Sequence, residues 1–142
     1  MFFRQAMQIW KVSFREIAKI FIISGGIMLF ISILIRYVFG ETILTIFGFS
    51  EKVSVWDGSG PPPIYHGIPG ASVVRFQGML EGPNQMAFFL LVYMGTYISL
   101  LFRFKKYRFI NGVILFFLLF LLTQTYSRSG LMGCVVGCGV LF

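Results

Sequence analysis

Two arginines stand where arginine is costly. Arg128 lies in QTYSRSGLMG, between the uncharged runs FINGVILFFLLFLLT and GLMGCVVGCGVLF, and Arg75 lies shortly before Gly82-Pro83-Asn84-Gln85. A guanidinium beside apolar segments either reaches a membrane surface or holds an anion. Its planar fork grips a phosphate through two parallel hydrogen bonds. Both stretches also read as helix starts. Pro83 suits a first helical turn, because its missing N–H costs nothing there. Ser127 or Ser129 can cap the run that opens at Gly130. A helix start exposes unpaired N–H groups and a partial positive charge, a ready anion site. Arg75 and Arg128, supported by Asn84, Ser127 and Ser129, therefore form the candidate site. A lipid-linked pyrophosphate fits it, because its headgroup sits at the membrane surface. Ordinary interfacial anchoring of both arginines is the competing reading.

The elements that must position these groups are apolar. Of 142 residues 57% are hydrophobic and 12% charged, and 18 are Phe. A soluble domain carries about 25% charged residues, so the composition predicts an all-α, multi-span membrane protein. A barrel is disfavoured, because FLLVYMGTYISLLF and ILFFLLFLL lack the alternation of barrel strands. The reading along the chain is a cytoplasmic or interfacial segment at 1–19, a first span at 20–39, and an extracytoplasmic loop at 40–84. A second span at 85–102, a cytoplasmic loop at 103–108 and a third span at 109–125 follow. An outer turn at 126–129 leads into a fourth span at 130–142. Twenty residues of helix cover about 30 Å, the thickness of the hydrocarbon core. The fourth run has only the residues from Gly130 to Phe142, and the expectation is that further helices follow it.

The net charge of +7 reports topology in this reading. Arg4, Lys11, Arg15 and Lys19 precede the first span, and Arg103, Lys105, Lys106 and Arg108 lie between the second and third. Both clusters fall on one side, as the positive-inside bias asks. No basic face interleaved with aromatics suggests nucleic acid. The long loop holds Glu41, Glu51, Asp57 and Glu81 together with Pro61-Pro62-Pro63, and reads as irregular backbone. Gly25-Gly26 marks a kink or a close helix contact. Arg36 is expected to snorkel to the surface at the far end of the first span.

Other residues take plainer readings. Asp57, His66 and Glu81 lack metal-ligand spacing, so neither a metal nor a cofactor is expected. Cys134 and Cys138 share a helix face and read as small packing residues. Gly133 and Gly137 form a small-xxx-small pair suited to internal helix packing. His66 reads as a surface-loop residue, and Trp56 and the tyrosines as interfacial anchors.

VVRFQGMLEGPNQMAFFLLVY followed by LLTQTYSRSGLMG resembles the O-antigen ligase-like family of bacterial membrane glycosyltransferases. The residues that carry the resemblance are Arg75, Gly78, Gly82, Pro83, Asn84 and Ala87, then Thr125, Ser127, Arg128, Ser129 and Gly130, within residues 40–142. It implies a multi-pass enzyme of the bacterial inner membrane, of the glycosyltransferase-C type and needing no metal. Such enzymes move a glycan from undecaprenyl diphosphate to an acceptor outside the cytoplasm: another glycan, lipid A–core or a protein hydroxyl. Arg75 and Arg128 would then bind the diphosphate and neutralise the charge that develops on the leaving group. Gly82, Pro83 and Gly130 would be structural. Ligases of this type look to a histidine in a later external loop as general base, and His66 does not match it. The chain is therefore expected to hold the donor-binding half and not to turn over alone. A transporter or channel for an anionic substrate and a non-catalytic membrane subunit remain as alternatives.

Overall fold

A computed structural model describes residues 13–50, 64, 67–68, 71–101 and 108–141. These residues are mostly helical, in keeping with the expected all-α class. The elements are α1 (Phe14–Leu34), a π-helical turn (Ile35–Phe39), a 3-10 helix (Glu41–Phe47), strands β1 (Gly67–Ile68) and β2 (Ala71–Val74), and then α2 (Pro83–Leu101), α3 (Arg108–Gln124) and α4 (Arg128–Leu141). The strands pair antiparallel through Gly67–Val74 and Ile68–Ala71. The loop expected to be irregular thus contains a 3-10 helix and a short hairpin.

Helix α1 begins at a capping box. Ser13 Oγ accepts from the Glu16 N–H at 3.2 Å, and the Ser13 N–H donates to Glu16 Oε2 at 2.8 Å. Such a cap stabilises a helix by about 1 kcal/mol. The helix therefore starts ahead of the expected span boundary, and its first turns carry Arg15 and Lys19, both exposed. Together with the π-helical turn it runs from Phe14 to Phe39, 26 residues, and is long and apolar enough to cross a membrane by length and composition. Helix α3 is apolar but shorter.

The helices alternate in direction. Tyr93 Oη in α2 donates to the Ile22 carbonyl in α1 at 3.0 Å, while Ser32, later in α1, accepts from the Met79 N–H just ahead of α2. Tyr97 and Asn111 join late α2 to early α3 at 3.3 Å. Leu29, Met86, Leu90, Leu118, Leu121 and Leu122 are buried where the helices meet. Gly25 is a close contact: a Cβ there would lie 2.7 Å from the Tyr93 ring. Outward faces remain strongly apolar, with Ile23, Ile27, Phe30, Phe109, Phe116, Met132 and Val135 all exposed.

The turns and helix starts place the remaining elements of the site. Pro83 is the first residue of α2, and the Met86 N–H donates to the Gly82 carbonyl at 3.1 Å. Helix α4 opens at Arg128, not at Gly130, so Arg128 and Ser129 belong to its first turn. Gly130 packs against α2: an added Cβ would lie 2.7 Å from Ala87 Cβ and 3.3 Å from Leu122 Cδ1. That contact sets the first turns of α2 and α4 side by side. Gly133 meets Leu91, whereas a Cβ on Gly137 would touch nothing. The close-packed pair is therefore Gly130 and Gly133, in place of Gly133 and Gly137.

Candidate anion-binding site

Arg75 follows directly on β2 and reaches two distant parts of the chain. Its Nε–H donates to the Thr125 carbonyl at 2.9 Å, and Nη2 donates to Asn84 Oδ1 at 3.1 Å and to the Tyr126 carbonyl at 3.4 Å. One side chain thus ties the start of α2 to the turn between α3 and α4. The neighbouring Phe76 N–H donates to the Gln124 carbonyl at 2.9 Å, so the segment is held to the same turn twice. Arg36 fixes the strand from its other side, donating from Nη2 to the Val74 carbonyl at 3.0 Å. It therefore takes a backbone partner, where the sequence suggested only a surface anchor.

The turn itself is tightly specified. The Thr125 hydroxyl donates to the Leu122 carbonyl at 2.7 Å and accepts from the Ser127 N–H at 3.3 Å. Tyr126 has φ of 48°, a left-handed conformation that non-glycine residues seldom adopt. Ser127 is the serine that caps α4, accepting from the Gly130 N–H at 3.2 Å. Its hydroxyl also lies 3.1 Å from that of Ser129. Thr125 and Ser127 are buried, whereas Arg128 and Ser129 are exposed.

The two arginines differ in what they have left to give. Arg75 is half-buried, and burial pushes its guanidinium below the usual value. An arginine still keeps its charge at any physiological pH. Among the described residues its partners are a side-chain amide oxygen and two carbonyls, none of them an anion. The Nε and Nη2 edge is occupied, and the Nη1 group takes no partner among the described residues. Arg128 is exposed and its guanidinium has no hydrogen-bond partner among the described residues. Asn84 is exposed too, its carbonyl oxygen accepting from Arg75.

A cavity of about 100 Å³ lies between the first turns of α2 and α4, lined by Asn84, Phe88, Leu91, Ser129 and Gly130. A water occupies about 30 Å³ of liquid, so the cavity is only a few waters in size, with Asn84 and Ser129 as its polar lining. No cluster of His, Cys, Asp or Glu suited to a metal occurs among the described residues. His66, Trp56 and Asp57 lie outside the described residues.

All five candidate residues thus gather at one end of the helices, but with changed parts. Arg75 is first a tie, Arg128 the open donor, and Ser127 a cap. Sequence reasoning missed the Thr125 and Tyr126 carbonyls as partners of Arg75. Backbone acceptors carry no signature of residue type, and nothing in Tyr126 announces a left-handed turn. No protein-family model, curated protein or solved structure matches this chain.

Proposed function

We propose that this chain binds the donor in a multi-span enzyme of the bacterial cytoplasmic membrane, one that transfers a glycan from undecaprenyl diphosphate to an extracytoplasmic acceptor. The observation that carries the reading is the Arg75 tie. It brings the Arg75–Asn84 stretch and the Thr125–Gly130 stretch, far apart in sequence, to one end of the helices. The resemblance of those two stretches to O-antigen ligase-like enzymes supplies the substrate class. The exposed apolar faces of α1, α3 and α4 suit lipid or neighbouring helices, and the alternating directions suit repeated crossing.

In this reading the diphosphate lies over the first turns of α2 and α4. Two positive side chains and two helix starts then face it, with no carboxylate bonded to either arginine among the described residues. When the acceptor oxygen attacks the anomeric carbon, the bond to the phosphate oxygen breaks and negative charge grows on the diphosphate. Arg128 stabilises that charge directly. Arg75 adds its own charge and fixes the positions of Asn84 and the turn. Such preorganised donors act most strongly where water is excluded. No described residue is assigned as the base that takes the acceptor's proton.

The test is binding of undecaprenyl diphosphate by the protein in detergent micelles or nanodiscs. Arg128→Gln should weaken binding by roughly tenfold or more, the effect of losing a charge-assisted pair. Unchanged affinity in Arg128→Gln, with the protein folded, would remove the site. Vectorial movement of an anion across vesicles, with no glycan transfer, would favour a transporter.

A further inference from the structure

A larger cavity than that beside Asn84 lies at the opposite end of the helices from Arg75. It is a groove of about 580 Å³ between the first turns of α1 and the last turns of α2. Phe14, Ala18, Val92 and Leu100 form its apolar wall, and Arg15 stands at the α1 side. Gly95 opens it: a Cβ at that position would meet nothing within 4 Å. Thr96 and Ser99 also line it, but each spends its hydroxyl proton on its own helix. Thr96 donates to the Val92 carbonyl and Ser99 to the Gly95 carbonyl, both at 2.8 Å. Among the described residues the wall therefore offers no free side-chain donor below Arg15, which suits an apolar ligand there.

The charge above the wall selects the ligand's other end. Arg15 and Lys19 are both exposed, one helical turn apart on α1. Glu16, the acid between them, is held by Ser13 in the capping box and keeps a negative charge that partly offsets the two cations. An apolar trough below two cations is complementary to an acyl chain below a phosphate. Basic residues at a membrane surface each draw anionic lipid by a modest increment.

We propose that this groove holds an acyl chain of an anionic phospholipid whose phosphate sits against Arg15 and Lys19. The proposal rests on α1 crossing a bilayer, part of the functional reading above, but not on any diphosphate chemistry. The groove's size falls in the range of small-molecule sites. A second copy of this chain is the rival occupant, because a glycine-floored groove also accepts a helix.

The experiment is native mass spectrometry of the protein taken from phosphatidylcholine nanodiscs doped with phosphatidylglycerol. The wild type should retain one phosphatidylglycerol in preference to phosphatidylcholine. Gly95→Leu fills the groove and should lower retention of either lipid about tenfold or more. Arg15→Gln should cut the preference for phosphatidylglycerol about fivefold while phosphatidylcholine still binds. Equal retention of the two lipids by the wild type would overturn the proposal. So would wild-type retention in both variants, or a dimer that only Gly95→Leu dissociates. Arg15 is exposed, so its variant remains informative if Gly95→Leu fails to fold. Undecaprenyl diphosphate binding is measured on the same samples. Loss of phospholipid with diphosphate binding intact, or the reverse, shows which of the two readings has failed.

Discussion

The Arg75 Nε–H and the Thr125 carbonyl meet at 2.9 Å across fifty residues of chain. The bond closes the end of the helices where α2 and α4 begin. Lysine keeps the charge at position 75 but lacks the fork that spans Thr125, Tyr126 and Asn84. Arg75→Lys should destabilise the fold by about 1–3 kcal/mol, the range for lost charge-assisted hydrogen bonds. Thermal unfolding in detergent measures it, and a wild-type midpoint would mean that the tie contributes nothing.

If the proposed function holds, Arg128 is where binding and stability should separate. Its guanidinium is exposed, so Arg128→Gln should change stability by less than about 0.5 kcal/mol. Its affinity for undecaprenyl diphosphate should nevertheless fall. Paired melting and binding curves on one preparation distinguish the two, and a large loss of stability would reassign Arg128 as structural.

The approach of α4 to α2 depends on the absence of a side chain at Gly130. Gly130→Ala would bring its Cβ to 2.7 Å from Ala87 Cβ. Overpacking of this kind costs about 1–3 kcal/mol. Gly112→Ala, where a Cβ meets nothing within 4 Å, should instead be neutral or stabilising by up to about 1 kcal/mol. If both alanines behave alike in denaturation, the close contact is not what sets the response.

Gly78 combines two constraints. Its φ is 59°, and an added Cβ would lie 2.5 Å from both Ser32 Oγ and Met86 Cε. Gly78→Ala is therefore expected to cost about 2 kcal/mol or more. Ser32 Cβ also lies 2.7 Å away, so Ser32→Gly, which removes both of its clashing atoms, should let the double variant recover part of that loss. Strict additivity of the two changes in a double-mutant cycle would argue against their contact.

Ser127 and Ser129 sit two residues apart with unequal tasks. Ser127→Ala removes the cap that receives the Gly130 N–H, and should cost about 1 kcal/mol. Ser129 is exposed in the first turn of α4, and Ser129→Ala should be close to neutral for stability. Equal losses would place part of the capping on Ser129.

Much was already legible in the chain's local chemistry. Long apolar runs favour helices, because a helix satisfies its own backbone hydrogen bonds without neighbours, which counts most in lipid. Pro83 at a helix start, serine capping before Gly130 and the helical character of the apolar runs all follow from interactions within a few residues. Their boundaries moved by a turn or less, except at α1, where the Ser13–Glu16 box carried the helix back to Phe14. The assembly of the site was a different matter. That Arg75 spends one edge on the Thr125 and Tyr126 carbonyls, while Arg128 spends none, depends on where β2 and the α3–α4 turn come together. So does the choice of Gly130 and Gly133, not Gly137, as the residues pressed against α2. Local sequence determines which backbone can form a helix and where it is capped. Only packing decides which carbonyls reach a guanidinium, because those acceptors are present at every residue and are selected by position alone.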